Sequence, residues 1–335
     1  MTRVFSGMQP SGAPHLGNYL GAWVNWLSLQ DSADETIYCV VDLHAITAPA
    51  EHDPDTLRRR TVDLATSMLA VGIDPQRSIL FVQSHVREHA ELTWLFNCVA
   101  SFGELRKQPQ FKEKSEGRES VSVGLFDYPV LQAADILLYH ADEVPVGEDQ
   151  RHHIELARDI GQRFNHRFGE VFTLPKAVHP PSAARVMDLQ DPSRKMSKSS
   201  SAGKGIVYVL DDPKRVEKKI KSAVTDSDPD ARIVHDRDAK PGVANLLEIL
   251  AAVSGRPVAD LEAEHDGQGY GGFKLAVAEA VVERLRPIRE RYEELAADPG
   301  EVERLLADGA DRARAIAAPT YEAARDAMGL LAPRT

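Results

Sequence analysis

Apolar residues follow two spacings along the first part of the chain. Short runs rich in β-branched residues occupy positions 3–6, 36–41 and 78–82, and each run predicts a buried strand. Between these runs, apolar residues recur at helical spacing over 18–29 and again after Asp53, which precedes a proline and is predicted to cap a helix. This order of strands and helices predicts half of a doubly wound α/β fold with a parallel sheet, whose ligands bind at the carboxyl ends of the strands.

The pattern becomes helical after residue 205, with stretches rich in Ala, Leu, Glu and Arg that include 281–297 and 302–317. We therefore predict an α/β domain over residues 1–205 and a helical domain over residues 206–335. A central insertion is expected at about 106–140. Its polar first part, 106–119, is typical of a loop or a mobile edge.

Composition limits the class of protein. No apolar stretch approaches the roughly 20 residues that a membrane helix needs, and the N-terminus lacks the long apolar segment of a signal peptide. We therefore expect a cytoplasmic protein with no membrane contact. The two cysteines, Cys39 and Cys98, lie in apolar runs and are predicted to be packing residues, and two cysteines cannot form a disulfide framework or a four-cysteine zinc site.

The net charge of −11 argues against indiscriminate binding to nucleic acid. Basic clusters at 58–60 and 214–221 still leave a limited patch that could bind a structured RNA by its shape. Each of these clusters also fits a solvated helix face.

A glycine-containing loop, GMQPSGAPHLGN at residues 7–18, follows the first predicted strand and leads into the first helix. Backbone N–H groups at such a helix start can bind a polyphosphate. His15 and Asn18 are spaced to donate hydrogen bonds to one phosphate chain, and Gly17 admits close approach of a base or ribose. The same residues also fit an ordinary capped helix start. Neither the Walker-type loop nor the dinucleotide fingerprint is present in this segment.

A second loop, KMSKSSSAGKG at residues 195–205, combines lysines with serines and glycines. Lys195 and Lys198 could close over a pyrophosphate and neutralise the charge that develops on this leaving group. A flexible, solvated basic linker would have the same composition.

Taken together, HLGN at 15–18 and KMSKS at 195–199 resemble the two sequence motifs of the class I aminoacyl-tRNA synthetases. The second motif matches the family pattern at every position, and the first has Asn18 where many members have a second histidine. Further stretches resemble the tryptophanyl branch of bacterial and mitochondrial type: FSGMQPSG at 5–12, DLHAIT at 42–47, YPVLQAADILLY at 128–139, VPVGEDQ at 144–150, KKIKSAVTDS at 218–227 and KPG at 240–242. The resemblance covers nearly the whole chain. It implies a Rossmann-like catalytic domain and a C-terminal helical domain that recognises the anticodon of a transfer RNA.

The resemblance also implies a tryptophan pocket. The only polar group on the indole ring is an N–H, so an acceptor in an apolar pocket suits it, and by similarity that acceptor is Asp135. Without the resemblance, a helix-surface or capping role would be favoured for Asp135. The other residues that the resemblance assigns to tryptophan are Phe5, His44, Tyr128, Gln132 and Gln150. Gln132 stands where the family usually has methionine, which affects the pocket wall without changing the expected substrate.

A larger set of residues is implied for ATP. It comprises Gln9, Pro10, Ser11, Gly17, Asn18, Gly147, Glu148, Asp149, Val186, Lys195, Met196, Ser197, Lys198 and Ser199. For catalysis the resemblance points to His15, Asn18, Lys195 and Lys198, with Lys114 as a further candidate at the phosphates. We expect no metal site built by the protein alone, and Mg²⁺ is expected to arrive with ATP.

The implied reaction has two steps, formation of tryptophanyl-adenylate and transfer of the acyl group to the 3′ end of tRNA(Trp). The expected partners are L-tryptophan, ATP, tRNA(Trp) and a second copy of the chain in a homodimer. Three alternatives remain open at this stage. They are a tyrosyl-tRNA synthetase, a non-charging paralogue that binds RNA or senses tryptophan, and a nucleotidyl transferase with similar phosphate loops.

Overall fold

The computed structural model of the chain describes residues 2–47, 53–108, 111, 121–147, 150–178, 185–197 and 203–333, which contain five parallel strands in one sheet. The strands are β1 Arg3–Met8, β2 Glu35–Val40, β3 Ser78–Val82, β4 Glu143–Pro145 and β5 Lys176–Val178. Their spatial order is β3-β2-β1-β4-β5, and every neighbouring pair is parallel. This order changes direction at β1, which places a ligand crevice at the carboxyl ends of β1 and its neighbours. The predicted α/β class is confirmed.

The helices are α1 Leu16–Asn18, α2 Val24–Ser32, α3 Asp42–Ala45, α4 Pro54–Ala70, α5 Glu88–Asn97, α6 Phe102–Leu105, α7 Val123–Leu137, α8 Arg151–Phe168, α9 Pro213–Lys221, α10 Pro241–Ser254, α11 Val258–His265, α12 Gly269–Ala296 and α13 Pro299–Ala327. A π-helical turn, Tyr19–Trp23, joins α1 to α2, and a 3₁₀ turn, Gln83–His85, follows β3. The third predicted strand is confirmed at both ends, and the first two differ from the prediction by one or two residues. Asp53 caps α4 as predicted, since its side chain accepts a hydrogen bond from Thr56 N–H at 2.8 Å.

Side chains that alternate along β2 pack into two different cores. Ile37 and Cys39 contribute to the core that contains α5, α7 and α8, whereas Tyr38 and Val40 contribute to the core on the other face, with α4 and the C-terminal helices. A strand that is buried on both faces is typical of a doubly wound sheet. The expectation for the second cysteine was wrong: Cys98 is exposed just after α5, whereas Cys39 is buried.

The last helix, α13, returns to the sheet and covers the edge strand β3. A Cβ placed on Gly309 would lie only 1.8 Å from the backbone oxygen of Leu80, so the helix can approach this closely only because residue 309 is glycine. Arg312 also donates to the Ser78 backbone oxygen at 3.1 Å. The C-terminal helices therefore share buried cores with the sheet, and a boundary at residues 205 and 206 stays a prediction.

The predicted helical stretch at 302–317 falls within α13, and the stretch at 281–297 falls within α12 except for its last residue, which caps this helix; both helices are longer than the patterns suggested. A search of the described residues finds no helix that combines the length and the apolar character needed to span a bilayer.

Candidate active site

The loop after β1 ends in a short helical turn in which His15 and Asn18 bond to each other. His15 Nδ1 accepts from the Asn18 N–H at 3.3 Å, and Asn18 Oδ1 accepts from the His15 N–H at 3.0 Å. This reciprocal pair is a capping box with histidine at the capping position. Asn18 Nδ2 makes no hydrogen bond within the described part of the chain, so this amide group can donate to a ligand.

The two loops singled out in the sequence lie against each other. A Cβ placed on Gly17 would lie 3.0 Å from His15 Nδ1 and 3.8 Å from Met196 Cβ, and Met196 is buried. A second contact follows the second loop, where Leu16 N–H donates to Val207 O at 2.8 Å and Val209 N–H donates to Pro14 O at 2.9 Å. The first loop therefore contacts Met196 of the second loop and the chain that follows the second loop.

Lys195 lies in a small antiparallel ladder next to Met196. Asp188 N–H donates to Arg194 O at 2.9 Å and Met196 N–H donates to Val186 O at 3.0 Å, so Lys195 has a ladder bond on each side and faces Met187. The Lys195 side chain is exposed, whereas Val186 is buried. Backbone pairing thus sets the position of an exposed cation beside the first loop.

Asp135 lies in α7 and is 2% exposed. Its Oδ1 accepts from Gln83 Nε2 at 2.6 Å and from His89 Nδ1 at 2.6 Å, and its Oδ2 accepts from His44 Nε2 at 2.8 Å. Burial opposes ionisation of the carboxyl, yet the hydrogen bonds from His44 and His89 hold the pKa of Asp135 well below its ordinary value. Asp135 is therefore a buried acceptor that remains ionised.

A second layer of side chains fixes His89. An ionised carboxylate can only accept, so His89 Nδ1 carries the proton that it donates to Asp135, and His89 Nε2 lies 2.7 Å from the Tyr139 hydroxyl. Tyr139 stacks on Phe5, with ring centroids 5.4 Å apart and planes inclined by 9°. Burial raises the pKa of the Tyr139 hydroxyl, which keeps it a donor.

Tyr128 and Gln150 are joined through a histidine. The Tyr128 hydroxyl lies 3.0 Å from His153 Nε2, and His153 Nδ1 lies 2.9 Å from Gln150 Oε1. An amide oxygen only accepts, so His153 donates through Nδ1 to Gln150, and its Nε2 is paired with the Tyr128 hydroxyl. Burial raises the pKa of Tyr128 to about 12. The His44 ring meets the Tyr128 ring edge to face at 6.3 Å, which brings this chain of groups to the side of the Asp135 cluster.

Gln9 connects the first loop to the cluster around Asp135, because its side chain donates to the His44 backbone oxygen at 2.9 Å. Gln150 N–H donates to Gly147 O at 2.9 Å, and Gly147 is exposed. Gln132 is half-buried on α7, one turn before Asp135. Pro10 is buried, Ser11 is exposed and Ser197 is half-buried. The remaining predicted residues, Lys114, Glu148, Asp149, Lys198 and Ser199, lie outside the described residues.

Sequence reasoning missed Gln83, His89, Tyr139 and His153. Gln83 directly follows β3, a position at which side chains reach the ligand crevice of a parallel sheet, so the strand pattern could have indicated it. The two histidines lie in α5 and α8 and the tyrosine lies just after α7, where their side chains read as core residues. Among the described residues, no three acidic, histidine or cysteine side chains are grouped so that they could bind a metal ion.

Comparison with known proteins gives a consistent result. The family described as tRNA synthetases class I (W and Y) matches residues 1–286. The chain is 53% identical to tryptophan–tRNA ligase 2 of Streptomyces avermitilis over 332 residues, which cover 98% of this chain and 97% of that protein.

Two solved structures extend the similarity to the fold. Tryptophanyl-tRNA synthetase from Mycoplasma pneumoniae superposes with a TM-score of 0.89 at 38% identity, covering 99% of this chain and 98% of that one. The Campylobacter jejuni enzyme, complexed with ADP and tryptophan, gives a TM-score of 0.84 at 35% identity, covering 98% of this chain and 100% of that one.

Proposed function

Since the chain belongs to the class I tRNA synthetases of tryptophan and tyrosine, we propose that it is a tryptophan–tRNA ligase, which activates L-tryptophan with ATP and transfers it to tRNA(Trp). The observation that carries this proposal is the buried, ionised carboxylate of Asp135, held by three donors beside two loops that lie in contact. The similarity to ligases named for tryptophan over nearly the full length favours tryptophan over tyrosine.

Asp135 is proposed to receive the indole N–H. Each carboxylate oxygen can accept two hydrogen bonds, and Oδ2 accepts only the one from His44 among the described residues. A buried donor left without a partner would cost about 1–3 kcal/mol, which sets the scale of discrimination at this position. Phe5 acts through Tyr139 and His89, because this stacked and hydrogen-bonded series fixes the orientation of the acceptor.

The other end of the amino acid is proposed to lie near Tyr128 and Gln150. Their link through His153 gives both groups a hydrogen-bond partner and reduces the freedom of both side chains. Gln132 would form part of the pocket wall. A substrate held at both ends can present its carboxylate to ATP in one geometry, which is a large part of catalysis in reactions without a protein nucleophile.

The phosphate groups of ATP are assigned to the two loops in contact. The tryptophan carboxylate attacks the α-phosphate, the bond to the bridging oxygen of pyrophosphate breaks, and tryptophanyl-adenylate and pyrophosphate result. Lys195, His15 and Asn18 are proposed to stabilise the charge on the pyrophosphate, together with Lys114 and Lys198, which lie outside the described residues. Mg²⁺ is assigned to the triphosphate oxygens as part of the nucleotide substrate, since phosphate oxygens are preferred ligands of this ion.

Adenosine is proposed to lie along the remaining residues of the two loops and beside Gly147, with Gln9, Pro10, Ser11, Gly17, Val186, Met196 and Ser197 from the described part and Glu148, Asp149 and Ser199 outside it.

In the second step the 3′-terminal ribose of tRNA(Trp) takes the acyl group and releases AMP. The helical region after residue 205 is proposed to bind the anticodon, and the reaction is placed in the cytoplasm, where translation uses its product.

A homodimer is proposed as the working form. Trp94, Phe102 and Val123 are 69%, 67% and 80% exposed, and the Phe102 ring lies 5.0 Å from that of Phe126. Large exposed apolar side chains at neighbouring helix ends are typical of a protein interface. A second copy is the occupant that this proposal names, and light scattering of the purified chain measures the state directly.

The function is tested by ATP–pyrophosphate exchange with each of the twenty amino acids in turn, followed by charging of purified tRNA(Trp). We expect exchange with tryptophan alone and stable charging of the RNA. Exchange driven by tyrosine would contradict the assignment of the pocket, and exchange without charging would indicate a paralogue that has lost the second step.

A further inference from the structure

One buried amide joins the helical region to the loop that carries Lys195. Asn245, in α10, is 3% exposed. Its Oδ1 accepts from Met187 N–H at 2.9 Å, and its Nδ2 donates to Met187 O at 3.0 Å. A single side chain therefore bonds to both backbone polar groups of one residue, as a neighbouring β-strand would.

The contact with Asn245 matters because Met187 belongs to the ladder that contains Lys195. Met187 is paired with Lys195, and the ladder bonds lie on either side of this pair, from Asp188 to Arg194 and from Met196 to Val186. In such a pair the N–H and C=O of each residue point away from the partner strand. The Asn245 amide thus bonds to the edge of the Met187 strand that faces away from Lys195, and Lys195 lies on the other strand of the ladder.

A second contact holds the same helix against the same segment. Val224 N–H donates to Leu189 O at 2.7 Å, and a Cβ placed on Gly242, near the start of α10, would lie 2.1 Å from Val224 O. Lys240, at the cap of α10, donates to Asp228 at 2.8 Å and to Asp226 at 3.1 Å. The start of α10 is therefore fixed next to residues 187–189, so Asn245 has a defined position relative to Met187.

We propose that Asn245 is a positioning residue for adenylate formation: its amide holds Met187 in register with Lys195, so that the Lys195 ammonium group lies where pyrophosphate departs. The inference rests on the proposed function and goes beyond it, because Asn245 touches neither substrate and belongs to the helical region. A slip of one residue in the ladder would turn the Lys195 side chain to the opposite face. The expected consequence is a loss of rate without a loss of tryptophan binding.

The test compares two leucine variants at asparagines that have the same kind of contact. Asn245→Leu removes both bonds to Met187. Asn165→Leu is the matched control, since Asn165 is also buried, donates to Phe172 O at 2.7 Å and accepts from Phe172 N–H at 2.9 Å, near the far end of α8. Residue 165 is separated from Gln150 by roughly 22 Å of helix.

Rates of tryptophan-dependent exchange are measured per folded molecule, with the folded fraction taken from thermal unfolding. We expect Asn245→Leu to lower kcat by about 100-fold, the loss that a misplacement of about 1 Å can cause, and to leave KM for tryptophan unchanged. Asn165→Leu is expected to unfold at a lower temperature and to retain kcat. Equal losses of kcat in the two variants, or a wild-type kcat in Asn245→Leu, would overturn the positioning role.

A milder variant covers the case in which Asn245→Leu does not fold. Asn245→Asp keeps the acceptor for Met187 N–H and loses the donor to Met187 O, so kcat should fall with KM for tryptophan again unchanged. A wild-type kcat in this variant also overturns the inference. Failure of the proposed function has a different result, namely an unmutated chain without tryptophan-dependent exchange.

Discussion

The Asp135 carboxylate is 2% exposed and accepts hydrogen bonds from three side chains, whereas Lys195 is exposed and is positioned by backbone bonds on either side of it. The pocket holds its acceptor by side chains that belong to α3, α5 and the turn after β3. The loop holds its cation through a ladder whose outer edge is bonded to a helix of the C-terminal region.

The difference between the two regions matches the difference between the tasks proposed for them. Selection of one amino acid requires a hydrogen-bond acceptor that is fixed before the substrate arrives. A wrong amino acid leaves a buried polar group without a partner, and the resulting loss of binding free energy discriminates against that amino acid. Stabilisation of a leaving group requires charge where charge develops, and an exposed lysine supplies it without the cost of burial. We therefore expect changes in the pocket to alter binding and selection, and changes in the loop to alter rate.

The largest expected effect separates the two regions. Lys195→Ala should lower kcat for tryptophan-dependent pyrophosphate exchange by roughly 10²–10³-fold, because its contact strengthens in the transition state, and KM for tryptophan should change little. The control is Lys204→Ala, which removes another exposed lysine of the same segment. An unchanged exchange rate in Lys195→Ala would refute its role.

A smaller effect of the opposite kind is expected at Asp135. Asp135→Ala should raise KM for tryptophan by about 10–100-fold, equivalent to about 1–3 kcal/mol, and should loosen discrimination against phenylalanine and tyrosine. Asp142→Ala serves as the control, because this carboxylate accepts from Arg3 N–H at 2.8 Å at the amino end of the strands. Intact tryptophan affinity in Asp135→Ala would show that the indole acceptor lies elsewhere.

The pH dependence of the free energy of unfolding tests the prediction that the Asp135 carboxyl is ionised in the folded protein. A carboxyl whose pKa is lowered on folding contributes stability above the unfolded value of about 3.9, and this contribution is lost as the pH falls through the folded value. The difference in free energy of unfolding between the unmutated chain and Asp135→Asn should therefore stay constant from pH 7 to pH 5 and should shrink below about pH 4. Urea unfolding at a series of pH values measures it. A rise in this difference as the pH falls from 7 to 5 would mean that burial dominates, that the pKa of Asp135 is raised on folding and that the acceptor is protonated near neutrality.

The smallest effect is expected at the pocket wall. Gln132→Met introduces the residue that most relatives are expected to have, one helical turn before Asp135, without touching the acceptor or its donors. KM for tryptophan should stay within about 3-fold, since substitutions in a half-buried wall of similar volume cost little. Inhibition by tryptophan mimics should change more than KM. A large rise in KM would assign Gln132 a direct polar contact with the substrate.

Sequence patterns predicted β1, β2 and β3 because these strands are apolar and bounded by polar turns, but they did not predict the three-residue strands β4 and β5. The N-cap at Asp53 and the strand Ser78–Val82 both followed from local chemistry. Local chemistry could not place α13 across β3, since that contact depends on the absence of a side chain at Gly309, far along the chain from Leu80.

Prediction of the site residues likewise succeeded where the local sequence was informative and failed where a role depends on distant partners. Motif resemblance indicated Asp135, but nothing local marked His89 or His153, which lie in helices and take their roles from partners distant in sequence. Asn245 is the clearest example of this limit. It reads as one polar residue in an apolar helix, and only the fold shows that it bonds to Met187.

A double-mutant cycle on tryptophan-dependent exchange tests the division of roles most directly. With kcat and KM measured for Lys195→Ala, Asp135→Ala and the combined variant, the account predicts that the combined variant shows the kcat of the first and the KM of the second, because the two groups act on different ends of the reaction. If Lys195→Ala alone raised KM for tryptophan and loosened discrimination as much as Asp135→Ala does, selection and catalysis would not be separate, and the account would be contradicted.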